Sequence, residues 1–341
     1  MLGGLDLRAG IIGAGLMGGW HARTLNRLGV DLVGVVDQDL SRASLITRRF
    51  PAAASFTSLD KLLEEAAPDV VHICTPLASH EDFALRALSG GVHVVCEKPM
   101  AGSAQAVARI VEQAQRQSRR VMAVHQFATQ AGVTSAVSKV PALGQISRLS
   151  FVVASAGGMG LDGSELDAVV EDLIPHPFSV VSRLWPNAEL SDLKWRSISP
   201  FPGELFTQCD MSGIPFSLSV SMSGRPTRCY MEIQGSGGTV KIDFFHGFAT
   251  FSEGHVSRMR KITYPLSDGA KILVSASTNL MRRAVQRQYA YPGLLQLFAD
   301  FYRSLYLNSE RVGDYDALIQ QARARDLLIK SMREARASAV S

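Results

Sequence analysis

The chain has 341 residues, 46% of them hydrophobic and 19% charged, with a net charge of +4. That length suits two domains, and the apolar share is enough for real cores. No run approaches the roughly 18 uncharged apolar residues of a membrane span, the arginines form no stripe beside aromatics, and the four cysteines show neither a C-x-x-C pair nor zinc spacing, so no membrane span, nucleic-acid surface or metal site is expected.

Residues 1–15, "MLGGLDLRAGIIGAG", carry an acid and then a glycine pattern. They lack the basic, apolar and cleavage segments of a signal peptide, so the expected location is the cytoplasm. Cys74 and Cys96 end apolar runs and are expected to be reduced core residues.

The first third alternates strands and helices. "AGIIG" reads as a strand, and "LMGGWHARTLNRL" as a helix stopped by Gly29. "DLVGVVD" is the next strand. "SLDKLLEEAA" reads as a helix opened by Ser58, with Leu59, Leu62 and Leu63 on one face, and ended by Pro68. "DVVHICT" is almost continuously apolar, as in a parallel strand covered on both sides. "SHEDFALRALSGG" starts with Ser79 and Asp82 at capping-box spacing and ends at a glycine pair. "VHVVCEK" is a strand, "SAQAVARIVEQAQRQ" a helix with Val107, Ile110, Val111 and Ala114 on one face, and "RVMAVHQF" a strand. Repeated β-α units predict an α/β fold, a doubly wound parallel sheet spanning residues 1–124.

The pattern changes at about residue 125. "GQISRLSFVVASAGG" reads as a strand. After a loop and one helix come "ELFTQCDMSG", "PFSLSVSMSG", "TRCYMEIQGSGGTVKIDFF" and "FATFSEG", strands punctuated by Gly, Ser and Pro. They predict a large, open, mostly antiparallel sheet in a second domain of residues 125–341. Helices from "YPGLLQLFADFYRSLY" to "DYDALIQQARARDLLIKSMREA" close the chain and are free to pack back on the first domain. An open sheet leaves one face to cover, so a homodimer or homotetramer through that face is expected.

Gly13, Gly15 and Gly18 form G-x-G-x-x-G between a strand and a helix, and Asp37 lies 19 residues beyond Gly18. In that context the pattern is a dinucleotide fingerprint. The glycines give the tight turn, close phosphate approach and close helix–strand packing, and Leu16 and Met17 lie within the loop. Asp37 is placed to accept ribose hydroxyls and to repel a 2′-phosphate, which favours NAD over NADP; Gln38 and Arg42 complete the set, and Arg42 keeps NADP open.

"GIIGAGLMG" followed by "DVVHICTPLASHEDFALRALSGGVHVVCEKPMAGS" resembles the Gfo/Idh/MocA family of NAD(P)-dependent oxidoreductases, which includes glucose–fructose oxidoreductase and inositol dehydrogenase. The family's T-P-x-x-x-H motif stands here as Thr75, Pro76 and His80, and its E-K-P motif as Glu97, Lys98 and Pro99. The resemblance implies a Rossmann domain, a second domain with an open sheet, and a cleft where nicotinamide meets a small-molecule substrate. It sets Thr75, Pro76 and His80 against the cofactor, although His80 also reads as part of a helix start. It directs Lys98 at a substrate oxygen from a cis Lys–Pro turn, with Glu97 holding the lysine or the nicotinamide ribose.

The family's second-domain pair, an aspartate and a histidine four residues apart, stands here as Asp172 and His176 in "VVEDLIPHPFSVV". The resemblance makes His176 the group that exchanges the substrate's hydroxyl proton, oriented by Asp172. Pro175 and Pro177 argue against an uninterrupted helix, and a helix start at Pro177 is compatible with them. The sequence departs from the family at the glycine pair before the aspartate, at Ser179 and at Gln126. The expected activity is hydride transfer to or from a sugar, cyclitol or related molecule. Imine or unusual carbonyl reduction, a dinucleotide-sensing regulator and an NAD-dependent glycosidase are the alternatives. His125 is a further cleft candidate, whereas His21, His72, His93, His246 and His255 show no partner pattern and read as structural.

Overall fold

The computed structural model describes residues 7–254, 257–288, 290–307 and 314–340. The chain divides into two compact units. One comprises residues 1–125 and 294–322, the other residues 126–293 and 323–341. Residues 294–322 therefore group with the first unit, away from their neighbours in sequence.

The first unit opens with β1 (Arg8–Ile12), α1 (Leu16–Leu28), β2 (Asp31–Val36), α2 (Leu40–Thr47) and β3 (Ala54–Phe56). A short α3 (Leu59–Lys61) widens into a π-helical turn over Leu62–Ala66, followed by β4 (Val70–Ile73), α4 (His80–Ser89), β5 (His93–Cys96), α5 (Ala104–Arg116) and β6 (Val121–Ala123). The six strands are all parallel, in the order β3-β2-β1-β4-β5-β6. This is the doubly wound order, in which the chain reverses direction across the sheet between β1 and β4.

Local chemistry sets these elements. Gly29 ends α1 in the left-handed region at φ 76°, as its lack of a Cβ allows. Ser58 accepts from the N–H of Lys61 and opens α3. α5 buries Val107, Ile110, Val111 and Ala114 against the sheet, as their spacing predicts. Two local expectations are corrected. Ser79 does not cap α4; its hydroxyl donates to Thr75 Oγ1 and to the Pro76 carbonyl, because a 3-10 turn over Leu77–Ser79 precedes the helix. The helix read through "SLDKLLEEAA" is α-helical for its first turn only, then widens and ends at Ala67, whose φ is 38°.

The second unit contains α6 (Ala131–Lys139), β7 (Ile146–Ala154), α7 (Gly163–Leu173), α8 (Pro175–Leu184), β8 (Arg196–Ile198), β9 (Glu204–Met211), β10 (Ile214–Ser221), β11 (Arg228–Gly235), β12 (Gly238–Asp243), β13 (Phe248–Glu253) and α9 (Arg258–Val285). α10 (Leu294–Tyr306) belongs to the first unit, and α11 (Tyr315–Val340) contributes residues to each. The seven strands lie in the order β13-β12-β11-β7-β10-β9-β8. Only β7 and β10 pair in parallel; every other pairing is antiparallel. Alternation decides which face is buried. Leu149, Phe151 and Val153 of β7, Phe216, Leu218 and Val220 of β10, and Met231 and Ile233 of β11 enter the core. Ser150, Ser217 and Ser219 stay at least partly accessible on the other face.

The single helix expected between the first two long strands is two helices. α8 starts at Pro175 and not Pro177, because a proline is tolerated at a first helical position. Four elements of the second unit or its sheet escaped the periodicity. α6 and β8 are short, and α7 is fixed by an Asp162–Glu165 capping box rather than by a long apolar face. α9 buries no residue and contains Pro265, so it carries no core-facing stripe to read.

Candidate functional site

In the first unit a cavity of about 770 Å³ opens beyond the C-terminal ends of β1, β2 and β4, within the range of small-molecule sites. Gly13, Gly15, Leu16, Met17, Asp37, Gln38, Arg42, Thr75 and Pro76 line it, as the sequence predicts. Thr57, Ser58, Cys74, Ser79, Phe83 and Arg86 also line it, although Ser58 and Ser79 were read only as helix starts and Cys74 as a core residue. They arrive from β3, β4 and α4 through the folding of the sheet.

The three glycines do different work. Gly13 has φ +97°, and a Cβ there would stand 2.7 Å from the Cys74 carbonyl oxygen. A Cβ on Gly18 would stand 2.0 Å from the Gly13 carbonyl oxygen, so Gly18 packs behind the loop and is not part of the lining. A Cβ on Gly15 would meet nothing within 4 Å. This glycine keeps the wall open, and no side chain caps α1 at that point. Asp37 ties the loop to the end of β2: its carboxylate accepts from the N–H of Ala14 at 2.8 Å and of Asp39 at 3.0 Å. The residues present thus fit a dinucleotide: a glycine loop at an uncapped helix start, and a carboxylate at the end of the second strand.

His80 is buried and clasps two turns. Its ring nitrogens lie 2.7 Å from the Thr75 carbonyl oxygen and 2.8 Å from that of Pro99. It therefore links the T-P turn after β4 to the E-K-P turn after β5 and does not line the cavity. The Lys98–Pro99 bond is cis. Neither Glu97 nor Lys98 lines the cavity; they leave the end of β5, the strand beside β4. Glu97 is buried and accepts from His21 Nε2 at 3.0 Å and from the Lys98 N–H at 3.2 Å. Burial pushes its carboxyl up, but the hydrogen bond from His21, together with the Lys98 charge and main-chain N–H, outweighs this, and it stays below the usual range.

His21 and His72, which showed no partner pattern in the sequence, do have polar partners in the structure. Both are fully buried with polar partners, and His21 touches the E-K-P turn directly. His246 bonds Asp243 at 2.8 Å and His93 accepts from the Arg120 N–H at 2.9 Å, so these two do have partners as well. His255 lies outside the described residues. His125 follows β6, and its buried Nδ1 finds no partner among the described residues. Desolvation, with Lys98 nearby, lowers His125 to about 4.

In the second unit Asp172 lies near the end of α7 and His176 in the first turn of α8. Asp172 is exposed, whereas His176 is buried. The imidazole stacks on Phe127 with ring centres 4.0 Å apart, and Phe127 stacks on Phe244 at 4.8 Å. Gln126 is buried, and Ser179 donates to the His176 carbonyl. Among the described residues no group of three or more His, Cys, Asp and Glu could hold a metal, and no helix is long and apolar enough to cross a membrane.

Residues 7–125 match the family described as an oxidoreductase family with an NAD-binding Rossmann fold. Inositol 2-dehydrogenase 4 of Saccharopolyspora erythraea is 36% identical over 121 residues, covering 35% of this chain and 36% of that protein. The matched stretch thus spans about a third of the curated relatives. Among solved structures, UDP-N-acetylglucosamine 3-dehydrogenase GnnA from Acidithiobacillus ferrooxidans superposes with a TM-score of 0.75 at 18% identity, covering 97% of this chain and 99% of that one. The WlbA dehydrogenase from Bordetella pertussis, solved with NADH and UDP-GlcNAcA, gives 0.76 at 17% identity, covering 97% and 96%. At such identities the likeness extends the shared fold to both units.

Two outcomes follow from this geometry. Gly18→Ala should lower the melting temperature in a thermal-shift assay, because backbone must move to admit the methyl; Gly15→Ala should leave it within a degree or so, since surface changes free of clashes stay within about 0.5 kcal/mol. Equal losses for both variants would contradict the assignment. Burial lowers both His93 and His125 from 6.5 to about 4. The unfolded chain therefore binds protons there more readily than the folded one. Melting temperature should fall as pH drops from 6.5 towards 4, and replacing His125 by Gln should flatten that fall.

Proposed function

We propose that the chain, whose residues 7–125 match an oxidoreductase family with an NAD-binding Rossmann fold, is a Gfo/Idh/MocA-type dehydrogenase acting on a sugar, cyclitol or related small molecule. The observation that carries this reading is a conjunction within one unit. A dinucleotide-sized cavity lies beyond β1, β2 and β4, and the Glu97–Lys98 turn leaves the next strand, β5. Ligands of open α/β sheets bind at this end of the strands. The inositol dehydrogenase relatives support a polyhydroxy substrate.

The loop from Gly13 to Gly18 and the start of α1 would hold the pyrophosphate, and Asp37 the adenosine ribose. A carboxylate there disfavours a 2′-phosphate, so NAD is the expected cofactor, with NADP secondary because Arg42 shares the wall. When bound, NAD supplies the hydride acceptor, C4 of its nicotinamide. Lys98 would stabilise the substrate oxygen as its bond to carbon gains carbonyl character, a differential gain that lowers the barrier. The hydroxyl proton would pass to His176, the candidate base of the second unit, with Asp172 in support. Glu97 would hold the main chain of Lys98.

We also infer a homodimer or homotetramer that uses the accessible face of the seven-stranded sheet. Its support is that only one face of that sheet is packed into the core. The four cysteines are all free, which suits a reducing cytoplasm.

Lys98→Ala should bind NADH as wild type does in a fluorescence titration, yet lose turnover by roughly 100- to 1,000-fold against a panel of sugars and cyclitols. Unchanged turnover removes Lys98 from the chemistry. Light scattering at micromolar concentration should give a multiple of the monomer mass; a monomer at all concentrations would contradict the assembly.

A further inference from the structure

A chain of buried polar groups runs behind Glu97. His21 on α1 and His72 on β4 face each other with their Nδ1 atoms 3.0 Å apart. His21 Nε2 reaches Glu97 at 3.0 Å, and His72 Nε2 reaches the hydroxyl of Tyr302, on α10, at 2.8 Å. His21, His72 and Tyr302 have no exposed surface, and Phe298 closes the space with its ring edge-on to both imidazoles at 4.8 Å. The Cys74 thiol lies 3.2 Å from His21 Nδ1.

With His21 neutral, the direction of the bonds in this chain follows from its end. An ionised carboxylate only accepts, so His21 Nε2 carries the hydrogen donated to Glu97. In neutral His21 the Nδ1 is then an acceptor; His72 Nδ1–H is the ring donor beside it, and the Cys74 thiol 3.2 Å away is a second donor on the same nitrogen. That leaves His72 Nε2 as an acceptor for the Tyr302 O–H. Burial holds His72 neutral, with one ring hydrogen to give. Three hydrogen bonds thus point the same way, from Tyr302 through His72 and His21 to Glu97. Buried chains of this kind are stable only when every member is satisfied.

We propose that His21 is a positioning residue for Lys98: the relay from Tyr302 and His72 fixes the tautomer of His21, His21 fixes the Glu97 carboxylate, and Glu97 holds the Lys98 main chain and so the aim of its ammonium. No step of chemistry passes through His21. The kinetic part rests on the dehydrogenase reading, while the hydrogen-bond part stands without it.

The test has two arms. In the first, the eight histidines are labelled with nitrogen-15 and the ring tautomers are read by long-range proton–nitrogen NMR on the full-length protein. The relay gives an Nε2–H tautomer for His21 and an Nδ1–H tautomer for His72, and Tyr302→Phe shifts the ring nitrogens of both. An Nδ1–H tautomer of neutral His21, or ring signals unmoved by Tyr302→Phe, overturns the proposal whatever the enzyme's substrate. In the second arm, His21→Leu lowers kcat by roughly 10- to 100-fold with the Kd for NADH unchanged, and His21→Gln, whose amide can both donate and accept, recovers most of that loss. A folded His21→Leu protein with wild-type kcat overturns the proposal. Should His21→Leu not fold, Tyr302→Phe replaces it in the kinetic arm, with a smaller loss of kcat at unchanged Kd expected and wild-type kcat counting against the relay. Failure of the wild-type protein to oxidise any member of a sugar and cyclitol panel would count against the dehydrogenase reading, and the NMR arm would still decide the relay.

Discussion

A carboxylate buried beside a lysine constrains the whole sequence-end of the parallel sheet. Glu97 is 7% exposed, and an ion taken that far from water costs several kcal/mol unless donors replace the lost solvent. The donors come from two places, the N–H of Lys98 and the imidazole of His21. His21 sits on the same helix that begins at the glycine loop. The helix that frames the nucleotide cavity at its first turn therefore supports the lysine turn one turn later.

The order of the strands brings these parts together. β1, β4 and β5 are neighbours in the sheet, so the glycine loop, the Thr75–Pro76 turn and the Glu97–Lys98–Pro99 turn leave from adjacent strand ends. His80 then fastens the last two by reaching a carbonyl in each. The crevice between β1 and β4 exists because the connections from those strands run to opposite sides of the sheet. The site is thus a consequence of topology first, with side chains tuning what topology places.

The parts legible in the sequence were those whose partners lie nearby along the chain. The glycine spacing, Asp37 at the end of β2 and the T-P and E-K-P turns each announce a local backbone geometry. Five of the six parallel strands follow from repeated β-α punctuation, whereas β3, three residues long, left no pattern to read. The relay was not legible, because His21, His72 and Tyr302 are separated by 51 and 230 residues and meet only when α10 joins the first unit. Isolated in the sequence, His21 and His72 showed no partner pattern. The helix over 258–285 was missed for another reason: it buries no residue fully and lacks the buried stripe from which helices are read. Asp172 and His176 lie on two successive helices rather than one, and their unequal exposure is set by where α7 and α8 lie against the second sheet, which sequence spacing does not encode.

The central claim is that the first unit binds a dinucleotide along the strand ends with Lys98 facing its reactive ring. A crystal structure of the protein with NADH measures this directly. The account predicts the pyrophosphate on the Gly13–Gly18 loop, the adenosine ribose hydroxyls on Asp37, and the Lys98 ammonium turned toward the nicotinamide. A dinucleotide bound elsewhere, or a Lys98 ammonium directed into bulk water with the nicotinamide out of reach, would contradict it.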